Sequence, residues 1–290
     1  MEISICTTVY NNAPRLRASL KSIIDNLRGI DFEMVVVDNW STDGTWEILK
    51  NTELENMILI RERCSRGRGR QIAFENSSGK YIVPVDLDVV YYPVWRKFID
   101  AYLSWEHRDR YAVLAWYTGI YPRALLERVG GWRDLQMAED WDLAWRLIEI
   151  GALKWYPLVT GENWAIKEPE RRFSKNFIML LARKLRNEID LFRVRGDYSL
   201  YTRLLVVREW TSTWKFYLFW SPLVVAARLI SELAGRRKLD PFEVMRKWKE
   251  CLIDFNLEGE LRYRMEYLPA SLLREKQKIP QNRSEVNHSF

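Results

Sequence analysis

The sequence predicts an α/β fold: a mostly parallel central sheet with helices on both faces, joined to a mainly helical C-terminal region. Three observations predict it. Short runs rich in β-formers alternate with segments of helical period through the first half of the chain, the pattern of parallel strands linked by crossover helices. Two of these runs stop on carboxylates, Val36-Val37-Asp38 and Val85-Asp86-Leu87-Asp88, which places acids at the carboxyl edge of a sheet, where open α/β sheets bind ligands. From Arg171 to Glu250 the composition changes: 18 Lys and Arg stand against 8 Asp and Glu.

Taken in order, Ile3 to Thr8 is a β-type run, followed by the turn residues Asn11-Asn12 and by Pro14 at a first helical position. Leu16, Leu20, Ile23, Ile24 and Leu27 then recur at helical spacing. Phe32 to Val37 reads as a core strand ending on Asp38, and Asp43 can cap the helix that carries Trp46, Ile48 and Leu49. Met57 to Ile60 is a third strand. In Arg66-Gly67-Arg68-Gly69-Arg70, glycines alternate with arginines before a helix over Gln71 to Asn76, which suggests a loop that approaches an anion closely. A solvated basic turn, or a small nucleic-acid contact, fits the same run.

Tyr81 to Asp88 is an apolar strand-like run ending in two acids. Side chains two apart on a regular strand lie roughly 7 Å from each other, so both can grip one metal only where the strand is already turning. One acid is therefore expected to hold a divalent cation and the other something beside it. Beyond it, a helix over Tyr92 to Trp105, a strand over Tyr111 to Tyr117 and a short helix over Tyr121 to Val129 are predicted, the last ended by Gly130-Gly131. In the next helix Glu139, Asp142, Arg146 and Glu149 share one face, with Asp142 and Arg146 as an ordinary exposed ion pair. Asp140 instead leads the stripe Leu143, Ala144, Leu147 toward the core. An acid there is either a cap or a working carboxylate, at a helix end whose dipole favours negative charge.

At 290 residues, 48% hydrophobic and 29% charged, the chain can bury one substantial core, or one core and an appendage. Cys6, Cys64 and Cys251 fit neither a disulfide framework nor a zinc cluster. With no secretory pattern at the N-terminus, they predict a cytoplasmic setting. The net charge of +6 is uneven, with an acidic half and a basic half that could meet an anionic partner. Trp210, Trp214 and Trp220 in the basic half suit a membrane interface or ordinary packing. Lys215 and Arg228 enclose 12 uncharged residues, against about 20 for a spanning helix. Ser221-Pro222 could start a helix with Leu223, Ala226, Ala227, Ile230 and Leu233 on its apolar face, closed by Gly235 and Arg236-Arg237-Lys238. Packing of that face on the domain is expected, with an in-plane helix at the inner face of the membrane as the alternative. The polar tail from Lys276 to Phe290 is expected to be disordered.

These residues resemble the family 2 glycosyltransferases of the GT-A, Rossmann-like fold. Ile3 to Asn11 is similar to the family's first strand and Tyr-Asn turn, with Thr8 in place of the usual proline. Val36 to Thr45 resembles its Asp-Asp-Gly-Ser-x-Asp-Gly-Thr signature, with Asn39 and Trp40 as departures, and Arg70 resembles the arginine that precedes the Asp-x-Asp strand. Asp86-Leu87-Asp88 matches that motif, and Gly130-Gly131-Trp132 with Glu139-Asp140-x-Asp142 resembles the acceptor-side motifs. The resemblance covers about residues 1–160.

It implies a catalytic domain over 1–165; charge and composition, not the resemblance, set apart a basic helical region facing acceptor or membrane over 166–275 and a tail over 276–290. The resemblance implies roles in turn: Asp38 accepts from the donor's nucleobase, with Thr8 and Tyr10 lining the same pocket. Asp86 contacts the ribose, Asp88 binds Mg²⁺ or Mn²⁺ bridging the diphosphate, and Arg70 lies near that diphosphate. Asp140 is the base, supported on the acceptor side by Trp132, Glu139 and Asp142. The implied reaction is an inverting transfer from a nucleotide-diphosphate sugar to a hydroxyl of a glycan or lipid-linked acceptor, with possible peripheral membrane contact and no nucleic acid. The histidine that often completes the family's metal shell is missing, since His107 and His288 lie elsewhere; Arg171 or Arg172 could take over part of that charge. No Gln-x-x-Arg-Trp motif follows the Glu-Asp segment, so single-sugar addition is expected. The alternatives are a nucleotidyltransferase using similar acids and a nonenzymatic basic module for nucleic acid or a membrane surface.

Overall fold

Strand and helix alternate from the first residues, as the two periodicities require. The computed structural model describes residues 1–163, 177–210 and 214–257. Arg171, Arg172 and the tail from Lys276 lie outside the described residues, as do the side chains of Trp210 and Trp214. The strands are β1 (Ile3–Val9), β2 (Phe32–Asp38), β3 (Met57–Arg61), β4 (Tyr81–Pro84), β5 (Val89–Tyr91), β6 (Ala112–Trp116), β7 (Thr118–Pro122), β8 (Leu153–Val159) and β9 (Gly161–Asn163). The helices are α1 (Ala13–Asn26), α2 (Thr45–Lys50), α3 (Arg66–Glu75), α4 (Pro93–Ser104), α5 (Arg123–Val129), α6 (Glu139–Glu149), α7 (Phe177–Val194), α8 (Leu200–Trp210), α9 (Trp214–Leu233) and α10 (Pro241–Glu250).

Seven strands form one mostly parallel sheet in the order β3-β2-β1-β4-β7-β6-β8, and β5 pairs with β9 in a separate antiparallel ribbon. β3, β2, β1 and β4 run parallel, while β7 lies antiparallel between β4 and β6. Side chains alternate across the sheet. Met34 and Val36 of β2 join a core with Leu20 of α1 and with Trp95 and Phe98 of α4. Val35 and Val37 join a second core with Ile72 of α3, Leu126 of α5 and Leu143 of α6. Helices therefore cover both faces, as expected. Full burial of a side chain such as Phe98, 0% exposed, stabilises the fold by roughly 1.5–3 kcal/mol.

Several local expectations change. The Arg-Gly run is not a loop: α3 already begins at Arg66, because the Ser65 hydroxyl accepts from the Arg68 N–H at 3.0 Å and caps the helix. Its glycines serve close packing. A Cβ on Gly67 would lie 2.0 Å from the Arg133 carbonyl oxygen, and one on Gly69 would lie 2.5 Å from Thr8 Oγ1. A solvated helical Gly→Ala change stabilises by up to about 1 kcal/mol, whereas Gly67→Ala is expected to lower the melting temperature, because a backbone carbonyl must move to admit the methyl. Thermal unfolding of the two proteins checks the sign, and a raised melting temperature would disprove the contact.

The segment predicted as one helix from Tyr121 splits into β7 and α5, because Arg123 N–H and the strand before it pair with the edge of β4. β4 itself stops at Pro84, so Asp86-Leu87-Asp88 lies in a turn and not on a strand. One carboxylate, Asp43, accepts from Thr45 N–H at 3.1 Å and from Ala13 N–H at 2.9 Å, satisfying the first turns of both α2 and α1.

In the basic region, α9 does not start at Ser221-Pro222 but carries Pro222 in its interior. The Leu218 carbonyl, which has no N–H to receive from Pro222, accepts from Ser221 Oγ at 3.3 Å instead. The buried face is also rotated from the expected one. Val224, Ala227 and Ser231 are buried, and the first two pack on Leu191 and Phe192 of α7 and Val207 of α8. Leu218, Leu229, Ile230 and Leu233 stay exposed. Two of the three clustered basic residues turn inward: Arg236 donates to the Gly196 and Tyr198 carbonyls at 2.7 and 2.8 Å, and Arg237 pairs with Glu149 at 3.6 Å. Among the described residues, no helix is long and apolar enough to cross a membrane.

Candidate active site

The turn after β4 is held from three sides. Asp86 N–H donates to Tyr91 Oη at 3.0 Å, and that hydroxyl donates to the Tyr117 carbonyl at 2.9 Å. The Leu87 carbonyl accepts from Asn12 Nδ2 at 2.6 Å, while the Leu87 side chain is buried in the core. Anchoring the middle residue leaves the two acids beside it to face a cavity of about 570 Å³ at the carboxyl ends of the strands. Asp88 Oδ1 accepts from Asn163 Nδ2 of β9 at 3.4 Å. The turn meets the condition under which two acids one residue apart can approach one ligand.

Arg70, from α3, joins this turn to α6. Its Nη2 lies 3.1 Å from Asp86 Oδ1 and 3.2 Å from Asp140 Oδ2, and its Nε lies 3.4 Å from Glu139 Oε1. Burial works against the charge of Arg70, yet Asp140, Asp86 and Glu139 together carry its pKa above the ordinary arginine value. Glu139 is 2% exposed. Its burial, reinforced by the charge of Asp140 and opposed by Arg66 and Arg70, pushes its carboxyl up to about 7. Asp140 is by contrast half-exposed, and its Oδ1 accepts from Trp132 Nε1 at 3.1 Å. Trp132 is fixed in turn by its N–H, which donates to Gln71 Oε1 at 2.7 Å. Gly131, at φ +60°, passes so close that a Cβ would sit 2.0 Å from that same oxygen.

The expected split of the α6 acids is corrected here. Glu139, Asp142, Leu143, Arg146 and Leu147 form the buried stripe, at i, i+3, i+4, i+7 and i+8, and Asp140 is outside it. Asp142 and Arg146 are not an exposed pair. They meet at 2.8 Å in a buried site where Arg146 also donates to the Val129 carbonyl and, at 2.7 Å, to that of Gly131. This pair ties α6 to the end of α5. Ala138, held at φ +64° just before the helix, sets the angle at which Glu139 enters and Asp140 leaves.

Of the residues singled out in the sequence, Thr8, Tyr10, Asp86 and Asp88 line the cavity. Asp38 does not: it is fully buried, accepts from Ser41 N–H at 3.2 Å and pairs with Arg61 Nε at 3.1 Å. Arg61 is stacked on the rings of Trp40 and Trp46, 4.7 and 5.0 Å from their centroids. Arg66, from the run read as approaching an anion, lines the cavity too, whereas sequence reasoning missed Asn39, Gln136 and Asn163, and above all Arg183 and Arg186, which also line it. The spacing of Arg183 and Arg186 marks one helix face, but nothing local tells that α7 folds back over the sheet edge. Among the described residues no three His, Cys, Asp or Glu side chains converge as a metal cluster.

Residues 4–125 match the model of the family described as Glycosyl transferase family 2. The chain is 33% identical over 107 residues to a dolichol-phosphate mannosyltransferase of Pyrococcus furiosus, covering 35% of this chain and 30% of that protein. It is 27% identical over 88 residues to the UDP-Glc:alpha-D-GlcNAc-diphosphoundecaprenol beta-1,3-glucosyltransferase WfaP of Escherichia coli, covering 30% and 35%. The matched part thus spans about a third of the length of these relatives. Among solved structures, the mannosyltransferase PcManGT of Pyrobaculum calidifontis with GDP-Man and Mn²⁺ superposes with a TM-score of 0.50 at 19% identity, over 86% of this chain and 79% of that one. TarS 1-349 of S. aureus with UDP-GlcNAc gives 0.51 at 17% identity, over 78% and 79%. At such identities the structures speak for the fold alone. Over residues 4–125 the chain is similar to family 2 glycosyltransferases, and its overall fold is GT-A-like.

Proposed function

We propose that the protein moves one sugar per cycle from a nucleotide-diphosphate sugar to an acceptor hydroxyl, with inversion at the anomeric carbon, in the assembly of a glycan or glycolipid. The observation that carries this reading is the single Arg70 nitrogen that touches both Asp86 and Asp140. It brings the acid at the edge of the donor cavity and a half-exposed acid from a separate helix to the same place, as a displacement with a base opposite its leaving group requires. Asp140 would take the acceptor proton on Oδ2 while Trp132 holds Oδ1. Thr8 and Tyr10, which line the cavity, would meet the nucleoside. Asp38, opposite Val9 in the β1–β2 register, would meet a base only if Arg61 turned away.

A divalent cation, Mg²⁺ or Mn²⁺, fits a site of this kind with few protein ligands. Such ions are commonly held by one or two carboxylates plus substrate phosphates, and Asp88 at the cavity wall would supply a carboxylate, with Asn163 Nδ2 donating to its Oδ1. When bound, the cation offsets charge on the departing diphosphate. The exposed Leu218, Leu229 and Leu233 of α9 support a place at the inner face of a membrane, within reach of a lipid-linked acceptor.

A thermal-shift screen of UDP-, GDP- and dTDP-sugars with and without Mn²⁺ tests the reading, because a ligand that binds only the folded state raises its melting temperature. One donor class should raise it, and Asp88→Asn should remove the part that depends on Mn²⁺. The product mixture should then contain a nucleoside diphosphate and a sugar of inverted anomeric configuration. Pyrophosphate release from a nucleoside triphosphate and a sugar 1-phosphate, supplied in place of the nucleotide sugar, would replace this reading with nucleotidyl transfer, and no response to any nucleotide sugar would end it. Adding anionic lipid vesicles to the same screen reads the membrane contact, with no co-sedimentation counting against it.

A further inference from the structure

Arg70, the residue the sequence points to for the diphosphate, is occupied. It is 6% exposed and shared among three acids, and it does not line the cavity. Three other arginines do: Arg66, the first residue of α3, and Arg183 and Arg186, three apart on one side of α7. α7 is fixed where it stands. Asp190 Oδ2 accepts from Gln136 N–H at 2.8 Å, and Leu191 and Phe192 are buried in the cluster that also takes in Ala138. Just past the end of α7, Arg195 stacks on the Trp141 ring of α6, 3.8 Å from its centroid. Arg183 and Arg186 are thereby held at one cavity, where Arg66 is close enough for its charge to act on Arg183. Burial and the charge of Arg66 push Arg183 down to about 10, so it keeps its proton at neutral pH in a cationic surrounding.

We propose that Arg183 and Arg186 of α7, together with Arg66, form a phosphate-binding subsite of the cavity. It takes either the diphosphate of the donor or the phosphate of a phosphorylated acceptor. Guanidinium groups suit this ligand, since their planar forks donate in pairs to phosphate oxygens. An anion seated between like charges also relieves their repulsion, which a fixed helix cannot relieve by moving apart. The site assigns α7 a binding role and explains how charge on a diphosphate is met while Arg70 remains with its three acids. Only the source of the phosphate rests on the sugar-transfer reading.

The test compares wild type, Arg183→Gln/Arg186→Gln and the single Arg186→Gln in the full chain, by titration with inorganic pyrophosphate, UDP, GDP, UMP and GMP and by transfer to farnesyl phosphate. Arg186 is exposed, so its replacement keeps the comparison usable if the double variant folds poorly. For the donor source, the diphosphates and pyrophosphate lose about tenfold in affinity while the monophosphates change by less than about twofold. For the acceptor source, nucleotide affinities hold and the KM for farnesyl phosphate rises about tenfold. Unchanged binding of every probe, with unchanged KM, overturns the subsite. If wild type binds pyrophosphate through these arginines yet no nucleotide sugar raises its melting temperature, the subsite stands and the transferase reading falls. If it transfers sugar and the variants match it, only the subsite falls.

Discussion

Asp140→Asn is expected to lower the rate of sugar transfer by about two to four orders of magnitude, the usual contribution of a positioned general base. Asparagine keeps the shape and an oxygen for Trp132 Nε1, which now stands 3.1 Å from Asp140 Oδ1. What disappears is the atom that can accept a proton, Oδ2, together with its pairing to Arg70 at 3.2 Å. Because Asp140 does not line the cavity that Thr8, Tyr10, Asp86 and Asp88 line, donor affinity should stay within about threefold, so the loss falls on kcat and not on KM. Single-turnover transfer and nucleotide titration on the same preparations separate the two. A variant that transfers within about threefold of wild type would show that another group takes the proton. A matching loss of donor affinity would show instead that Asp140 acts through the Arg70 bridge.

The parts of this site that are legible in the sequence are those set by local periodicity. β1 and β2 end where the apolar runs end, and Asp86 and Asp88 fall at the sheet's carboxyl edge because Tyr81 to Val85 is a continuous buried run. Features decided by distant contacts were not legible. Ser65 lengthens α3 back through the Arg-Gly run, and the Arg133 carbonyl leaves no room for a Cβ at Gly67. On α6 the apolar residues gave the direction of the buried stripe, yet not its polar members. Glu139, Asp142 and Arg146 are buried because partners from α3, α5 and the loop before α6 come to meet them. Asp140 meets Arg70 and Trp132 as well, yet its side chain stays 49% exposed. Arg183 and Arg186 belong to the same class: their place at the cavity is a property of how α7 docks through Asp190 and Phe192.

Arg70→Gln is expected to cost about 3–5 kcal/mol of stability at pH 8, the usual effect of removing one partner from a buried ionic site. The deficit should shrink at pH 5.5. Glu139 is the reason, being 2% exposed, with its carboxyl already pushed up from an ordinary 4.5 to about 7 by burial and by Asp140. A folded-state value above the unfolded one means that the folded protein holds the proton more tightly. That contribution is complete below about 4.5 and is lost as the pH rises through about 7. Without Arg70 the folded value climbs further, so the variant loses more than wild type over the same rise in pH. At pH 5.5 Glu139 is protonated in both proteins, and the acids left without Arg70 are Asp86 and Asp140, with side chains 39% and 49% exposed and open to water. Denaturant unfolding of both proteins at the two pH values checks this. Adding Glu139→Gln to the variant should recover stability at pH 8 and flatten the pH dependence. Equal deficits at pH 5.5 and 8 would place the role of Arg70 in the pairing of Asp86 with Asp140 alone, and take Glu139 out of the balance of the site.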